Sequence, residues 1–377
     1  MTLEKQQGFE DSPLWKLKVR LQFSGWLQYI IHAIWVLMML IIAGVGWLIG
    51  YWQVLLFWLP LGIAGLLSIW LVGTILFVKY GIHPAERIPK SKTDLDAFDL
   101  MAFRHSCRSF QSRNLTAEHH EELMEVVKLY CQQNLQLGQQ PIRFEYIPAP
   151  LTVWPVVGAR EFLVAIAPRE YNRLSIIDVG RSLQKIVLHA TRMGLATCWI
   201  GPGADQKSII QHLDGKFDPT KDHVICVCAI GYESIFKPLL IRLVQRFQHK
   251  RLPISELFFT DTSCKIALET NLAPFNEYGR CYEACQWSPS SYNGQTTRCA
   301  ATTGRVENQD KLIRFDFFAA TSSRYYAAVA LGIWCANWET GCATLNKTGH
   351  FEVLSAKEHG NEEVSELPRY DISWVID

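Results

Sequence analysis

From Leu21 to Val78 the chain contains no Asp, Glu, Lys or Arg, and His32 is the only titratable side chain there apart from tyrosines. A helix crosses the roughly 30 Å hydrocarbon core of a bilayer with about 20 residues. The run is therefore long enough for two spans joined by a tight turn, expected over Gly46 to Gln53, with Tyr51 and Trp52 at the interface. A cleaved signal peptide would be one short apolar core with a small-residue cleavage site, which this is not. Pro60 falls inside the second span, where membrane helices tolerate proline if neighbours accommodate the freed carbonyl.

Basic residues flank the outer ends of the hairpin: Lys16, Lys18 and Arg20 before it, Lys79, Arg87, Lys90 and Lys92 after it. The connecting turn carries none, so the positive-inside bias puts both ends in the cytoplasm. The expected organisation is a cytoplasmic segment over 1–20, a transmembrane hairpin over 21–79, a linker over 80–95 and a cytoplasmic remainder. Gly81, Pro84, Pro89, Ser91 and Thr93 give the linker its composition.

The 377 residues leave room for one sizeable domain or two small ones after the hairpin. The 37 basic and 36 acidic residues nearly cancel, which excludes strong nucleic-acid steering. The 11 cysteines are odd in number and show no metal-ligand spacing, a usage that suits a reducing compartment. Cys226 and Cys228 share a strand face, and Cys281 and Cys285 a helix face. Buried thiols acting as small hydrophobes account for both pairs. We find no metal set and no acid–base pair.

The densest polar stretch is Arg104-His105-Ser106-Cys107-Arg108-Ser109-Phe110. Extended, it points Arg104, Ser106 and Arg108 the same way; helical, it makes Arg104 and Arg108 a like-charge pair. Either way two guanidinium forks flank a hydroxyl, which suits a phosphate. Alone, such a run is as readily a solvated face. Downstream, Ala117–Leu135 reads as an amphipathic helix, Arg143–Tyr146 and Glu161–Ala167 as strands, Asp178–Leu195 as a helix and Val224–Ile230 as a third strand. Tyr278–Gln286 reads as a further helix. Phe315–Gly341 echoes the region Asp178–Gly201, with helices Asp178–Leu195 and Ser322–Gly332 in equivalent places.

The arginine arm and several later stretches resemble the FMN-binding nitroreductase family, and more closely its branch with two half-domains fused in one chain. In that family an Arg-x-Ser-x-Arg segment opens the first helix and holds the flavin phosphate and ribityl chain. Gly194-Leu195-Ala196-Thr197-Cys198-Trp199-Ile200-Gly201 is similar to the family's Gly-Leu-Gly-Thr-Cys-Trp-Ile-Gly turn near the flavin ring. His249-Lys250-Arg251-Leu252-Pro253 resembles a basic element that returns to the phosphate, although a solvated patch reads the same way. Trp287 to Arg298 resembles the Pro-Ser-x-x-Asn-x-Gln-Pro-Trp motif, with Thr296-Thr297 in place of Pro-Trp.

The resemblance covers about Lys92 to the C-terminus. It implies an α+β, nitroreductase-like fold built as a single-chain pseudo-dimer of halves 96–262 and 263–377, preceded by the transmembrane hairpin. The first half keeps the arginine arm and lacks the serine turn; the second keeps the turn and lacks the arm. One chain should therefore hold one FMN, and a monomer suffices. The residues implied for the cofactor are Arg104, His105, Ser106 and Arg108; Trp199, Ile200 and Gly201; Lys250 and Arg251; and Ser288, Pro289, Ser290, Ser291, Asn293 and Gln295. The implied function is a membrane-anchored FMN-dependent oxidoreductase, passing hydride from NAD(P)H through flavin to a nitroaromatic, quinone or similar small-molecule acceptor. The competing reading is a membrane-tethered, degenerate flavin-binding or interaction module without turnover.

Overall fold

The computed structural model describes residues 26–377 apart from 152, 154–155, 202–203, 239–240, 244–249, 307–308 and 361–366. The segment 1–20 with Lys16, Lys18 and Arg20, the start of the apolar run, and His249 lie outside the described residues. Helix α1 (Leu27–Ile49) ends at Gly50 in the left-handed region, and a short turn leads to α2 (Val54–Lys79). Both are long and apolar enough to cross a membrane. Pro60 cannot donate to the Leu56 carbonyl four residues back. That carbonyl lies against Gly46 of α1, where a side chain would leave no room for it.

Two antiparallel sheets follow. The first has the order β1 (Arg143–Ile147), β2 (Glu161–Pro168), β4 (Asp222–Gly231), β3 (Ala196–Ile200). Leu163, Ala165, Cys226 and Cys228 face one apolar cluster, while Phe162, Val164, Val227 and Ala229 face another. A strand buried on both faces reads as a continuous apolar run, which is why Phe162–Ala167 shows no polar alternation. The second sheet repeats the order with β6 (Thr297–Val306), β7 (Gln309–Ala319), β9 (Arg369–Ile376) and β8 (Gly349–Glu352). It gains β5 (Phe258–Phe259), which runs parallel to β6 at its edge.

Among the described residues the helices after the hairpin include α3 (Ala97–Phe103), α4 (Ala117–Tyr130), α5 (Arg173–Arg192), α6 (Gln206–His212), α7 (Gly279–Gln286), α8 (Tyr326–Thr344) and α9 (Ala356–His359). α5 starts at Arg173, ahead of the expected Asp178, because Asn172 caps it by accepting the Ser175 N–H at 3.0 Å. The stretch read as a turn around Thr197–Ile200 is strand β3, paired along β4. Asp316 belongs to β7, and the helix placed at Ser322–Gly332 runs over Tyr326–Thr344.

α5 and α8 cross at backbone contact. A Cβ at Gly180 would collide with the Val329 carbonyl, and one at Gly332 with the Ile177 carbonyl. The two contacts are reciprocal. Gly332→Ala should therefore destabilise the protein by about 1–3 kcal/mol through overpacking, despite alanine's better helix propensity. Gly62→Ala in α2, where nothing lies within 4 Å of the new Cβ, should leave the thermal midpoint unchanged. Melting of both variants in detergent checks this.

Candidate functional site

α3 stops at Phe103, and Arg104 leaves it with φ −59° and ψ 123°. The arm is therefore extended and follows a helix; it does not open one. Its backbone is sewn on both sides: the Cys107 N–H donates to the Thr197 carbonyl at 2.8 Å and the Val157 N–H to the Arg108 carbonyl at 2.9 Å. Cys107 faces the apolar cluster behind the first sheet. Arg104 and Arg108 are buried and Ser106 is half-buried. Burial pushes the Cys198 thiol of β3 up, and the positive charges of Arg108 and Arg104 oppose that shift, so both guanidinium groups act on this one point of β3.

The serine turn is held from below and from the side. Asn337 of α8 donates to Ser288 Oγ at 2.8 Å and to the Ala284 carbonyl at 3.1 Å. Ser290 Oγ accepts the Gln295 N–H at 2.8 Å. Tyr292, Asn293 and Gln295 all have positive φ, a conformation Asn tolerates and Tyr and Gln rarely adopt. Beneath the turn lies a small cavity lined by Ser288, Pro289, Ser290, Thr297, Ala330 and Trp334.

The segment 250–252 is clipped onto this turn. Arg251 Nη1 donates to Asn293 Oδ1 at 2.6 Å and to the Ser288 carbonyl at 3.3 Å. The Lys250 carbonyl accepts from Asn293 Nδ2 at 2.8 Å, while the Lys250 side chain is exposed. The Leu252 N–H donates to Gln295 Oε1 at 2.8 Å. Arg251 then meets the arm electrostatically. Burial, then the Arg251 charge, pull the Arg104 guanidinium down to about 10. Arg104 Nη1 and Arg251 Nε are buried with no hydrogen-bond partner. Among the described residues no carboxylate acts on either cation.

The structure thus brings Arg104, Arg251, Ser288 and Asn293 into one neighbourhood. Ser106 pairs with Thr197 on β3. Trp199 Nε1 is buried without a partner, and Gly201 lies against the Tyr326 ring. Ser291 contributes its carbonyl to the Gly294 N–H inside the turn. His105 turns away to Glu233 at 3.3 Å. Sequence reading missed Glu233 and Asn337, although a lone Asn within the apolar run Ala327–Trp338 was a visible signal. Among the described residues no His/Cys/Asp/Glu group could hold a metal.

The His105–Glu233–Lys237 cluster carries a pH signature. Bonding to Glu233 raises the His105 pKa, while His105 and then Lys237 hold Glu233 down at about 2 against its burial. A raised histidine contributes stability that is full below its ordinary value and lost as pH rises through the folded one. The depressed carboxylate contributes stability above its ordinary range and loses it as pH falls towards 2. Between about pH 6 and about pH 9 the wild-type melting temperature should therefore fall more than that of Glu233→Gln. Thermal melts across that range, at low salt because the pair is partly exposed, check this.

The family model described as "Putative TM nitroreductase" matches residues 96–341. Among solved structures, a Thermotoga maritima protein described as a "putative nitroreductase" is 16% identical, with TM-score 0.43, over 78% of this chain and 97% of that one. A nitroreductase family protein from Clostridium difficile 630 is 21% identical, with TM-score 0.33, over 43% and 96%. A nitroreductase with bound FMN from Bacteroides fragilis is 14% identical, with TM-score 0.31, over 37% and 89%. No curated protein matches. The family match spans the arm, both central helices and the serine turn, and the chain belongs to the nitroreductase family.

Proposed function

We propose that the chain is a membrane-anchored, FMN-dependent oxidoreductase that takes hydride from NAD(P)H and passes electrons to a small acceptor, a nitroaromatic or a quinone. The single observation that carries this is the pair of neighbouring cations, Arg104 buried and Arg251 half-buried. Each has a buried guanidinium nitrogen without a partner, and among the described residues no carboxylate acts on either. Burying uncompensated charge is costly, and a dianionic phosphate supplies the missing counter-charge through charge-assisted bonds. The residues therefore fit FMN. Arg104, Arg108 and Arg251 would hold the phosphate, and Ser290 and Asn293 would face its ribityl chain. Bound there, FMN would supply the two-electron chemistry. The arm and the turn orient it, and the buried arginines favour its negatively charged reduced form.

The same reading makes one chain a pseudo-dimer with one site. Gly180 and Gly332 are reciprocal, and the same offset carries Asp178 onto Ala330. Ala330 lies under the serine turn beside the cavity. Asp178 instead fills its place with a buried carboxylate, which accepts the Leu137 N–H at 2.8 Å and the Gly138 N–H at 2.7 Å. The twin position thus holds its own anion, which supports one flavin per chain.

The membrane reading rests on the 21 residues of Tyr29–Ile49 and the 26 of Val54–Lys79. The first alone spans about 31 Å at the helical rise. Their side chains are turned outward: Leu48 is 83% exposed and Ile69 72%. So much exposed apolar surface calls for hydrocarbon around it.

Detergent-purified protein should be yellow, bleach on addition of NADH and carry about one FMN per chain. Arg104→Ala and Asn293→Ala should each weaken FMN binding roughly ten- to a hundredfold, the loss of a charge-assisted contact worth about 1.5–3 kcal/mol. Arg324→Ala, whose guanidinium lies over the Tyr171 and Tyr325 rings, should not. Two flavins per chain, or full retention in both site variants, would exclude the one-site reading.

A further inference from the structure

We propose that the soluble domain touches the bilayer at a second place, where the loop after β4 enters the interfacial layer beside α2 and brings Ile235 and Ile82 into contact with lipid. The proposal rests on α1 and α2 being membrane spans and extends it: the domain is seated on the membrane as well as tethered to it. Its partner is the phospholipid surface around the hairpin.

The depth follows from one aromatic contact. Phe77 belongs to the charge-free run and precedes Lys79, so it lies on the apolar side of the last basic residue of α2. The Phe236 ring meets it edge-on with centroids 5.3 Å apart, and packs on its other side against His83 at 4.5 Å. A residue of the soluble domain therefore sits level with the last apolar turn of the hairpin. The chain after Lys79 turns back to the same level, because the Ile82 N–H donates to the Leu76 carbonyl at 3.0 Å.

The apolar side chains around that contact are held outward. Ile235 is 74% exposed and Ile82 60%. Ile235 cannot fold in, because its N–H and the Ser234 hydroxyl are both bonded to Glu86, at 2.7 and 3.0 Å. The Phe236 carbonyl is fixed by Ser109 Oγ at 2.8 Å. Lys79 stands at the end of α2 over the Trp26 ring, 4.2 Å from its centroid. Apolar tips next to a cation and ring aromatics match the chemistry of a headgroup boundary.

The consequence concerns the site. Ser109 closes the arginine arm, and besides its bond to Phe236 its carbonyl accepts the Ser234 N–H at 2.9 Å. The arm is thus bonded directly to the loop that would enter the interface. An acceptor dissolved in the bilayer would meet the arm's side of the domain first.

The test uses the full chain with Cys131 and Cys264 changed to serine, since the remaining cysteines are buried. Single cysteines replace Ile235, Ile41 in α1 and Ile266, which is 62% exposed and whose carbonyl accepts the Thr260 N–H in the segment before α7. Each carries an environment-sensitive fluorophore in phosphatidylcholine–phosphatidylglycerol nanodiscs with or without headgroup-proximal doxyl lipid. The Ile235→Cys label should shift to the blue and lose most of its emission to the doxyl lipid, while the Ile266→Cys label loses none. If Ile235→Cys behaves like Ile266→Cys while Ile41→Cys is quenched by doxyl groups deeper in the chain, the seating is wrong and the hairpin stands. If the Ile41→Cys label is not quenched by doxyl lipid at any depth, the hairpin itself does not insert, and this proposal falls with it.

Discussion

Two helices touch backbone to backbone at Gly180 and Gly332, and most of what is distinctive in the soluble domain depends on that crossing. Ordinary helix pairs keep their axes about 8–10 Å apart because side chains intervene. Where glycine removes them, short polar side chains on either flank come within bonding range. Gln184 of α5 reaches Asn337 of α8 at 3.1 Å, and Arg181 reaches Glu339 at 2.6 Å. Asn337 then passes the contact on to Ser288. The serine turn is therefore positioned from α5, a helix on the far side of the crossing, through one buried amide. Asn337 uses both amide hydrogens and its oxygen, whereas Gln184 Oε1 is buried without a partner, so the network is satisfied at the turn and not at its α5 end.

The chain also holds two unlike electrostatic environments, although both sheets share one strand order. In one, Arg104 and Arg251 stand together with unpartnered nitrogens. In the other, Asp178 is wholly buried and accepts two backbone N–H groups. Its burial outweighs those two bonds and lifts its carboxyl to about 6, so the fold accommodates this anion at a cost. One side keeps positive charge for something that arrives; the other supplies its own negative charge. Neither arrangement would follow from strand order, which is the same in both sheets.

Much of this was legible in the residues. Apolar runs of strand length marked β2 and β4, the 3.6-residue period marked α4 and α5, and the quoted arm and turn marked the family. What escaped had physical reasons. Thr197–Ile200 was read as a turn from its likeness to the family's Gly-Leu-Gly-Thr-Cys-Trp-Ile-Gly turn, yet it pairs along β4 as a strand. Arg104 was read as opening a helix, but α3 packs on α7 and α8 and stops at Phe103, releasing the arm to pair with β3. Lys250 and Arg251 are adjacent and alike in composition, yet one side chain is exposed and the other grips Asn293. Only the path of the backbone decides that, and no periodicity records it.

The segment 80–95 shows the same limit most plainly. Its glycine and prolines announce the absence of helix and strand, and none forms before Ala97. Absence of regular structure is not absence of contacts. Lys92 donates to the Arg192 carbonyl at 2.6 Å, Glu86 holds Ser234 and Ile235, and the Arg87 carbonyl accepts from Gln111 at 3.0 Å. Gln111 in turn holds the Glu233 carbonyl, one residue from the arm's own tie to Ser234. Each bond is modest alone, about 0.5–1.5 kcal/mol net. Together with the Phe77–Phe236 contact they join the end of α2 to the arginine arm with no free length between them. A flexible tether would let the domain turn in any direction beneath the hairpin. A strap bonded along its course fixes one orientation, so the placement of the arm relative to α2 is set by the same residues that hold the arm in place.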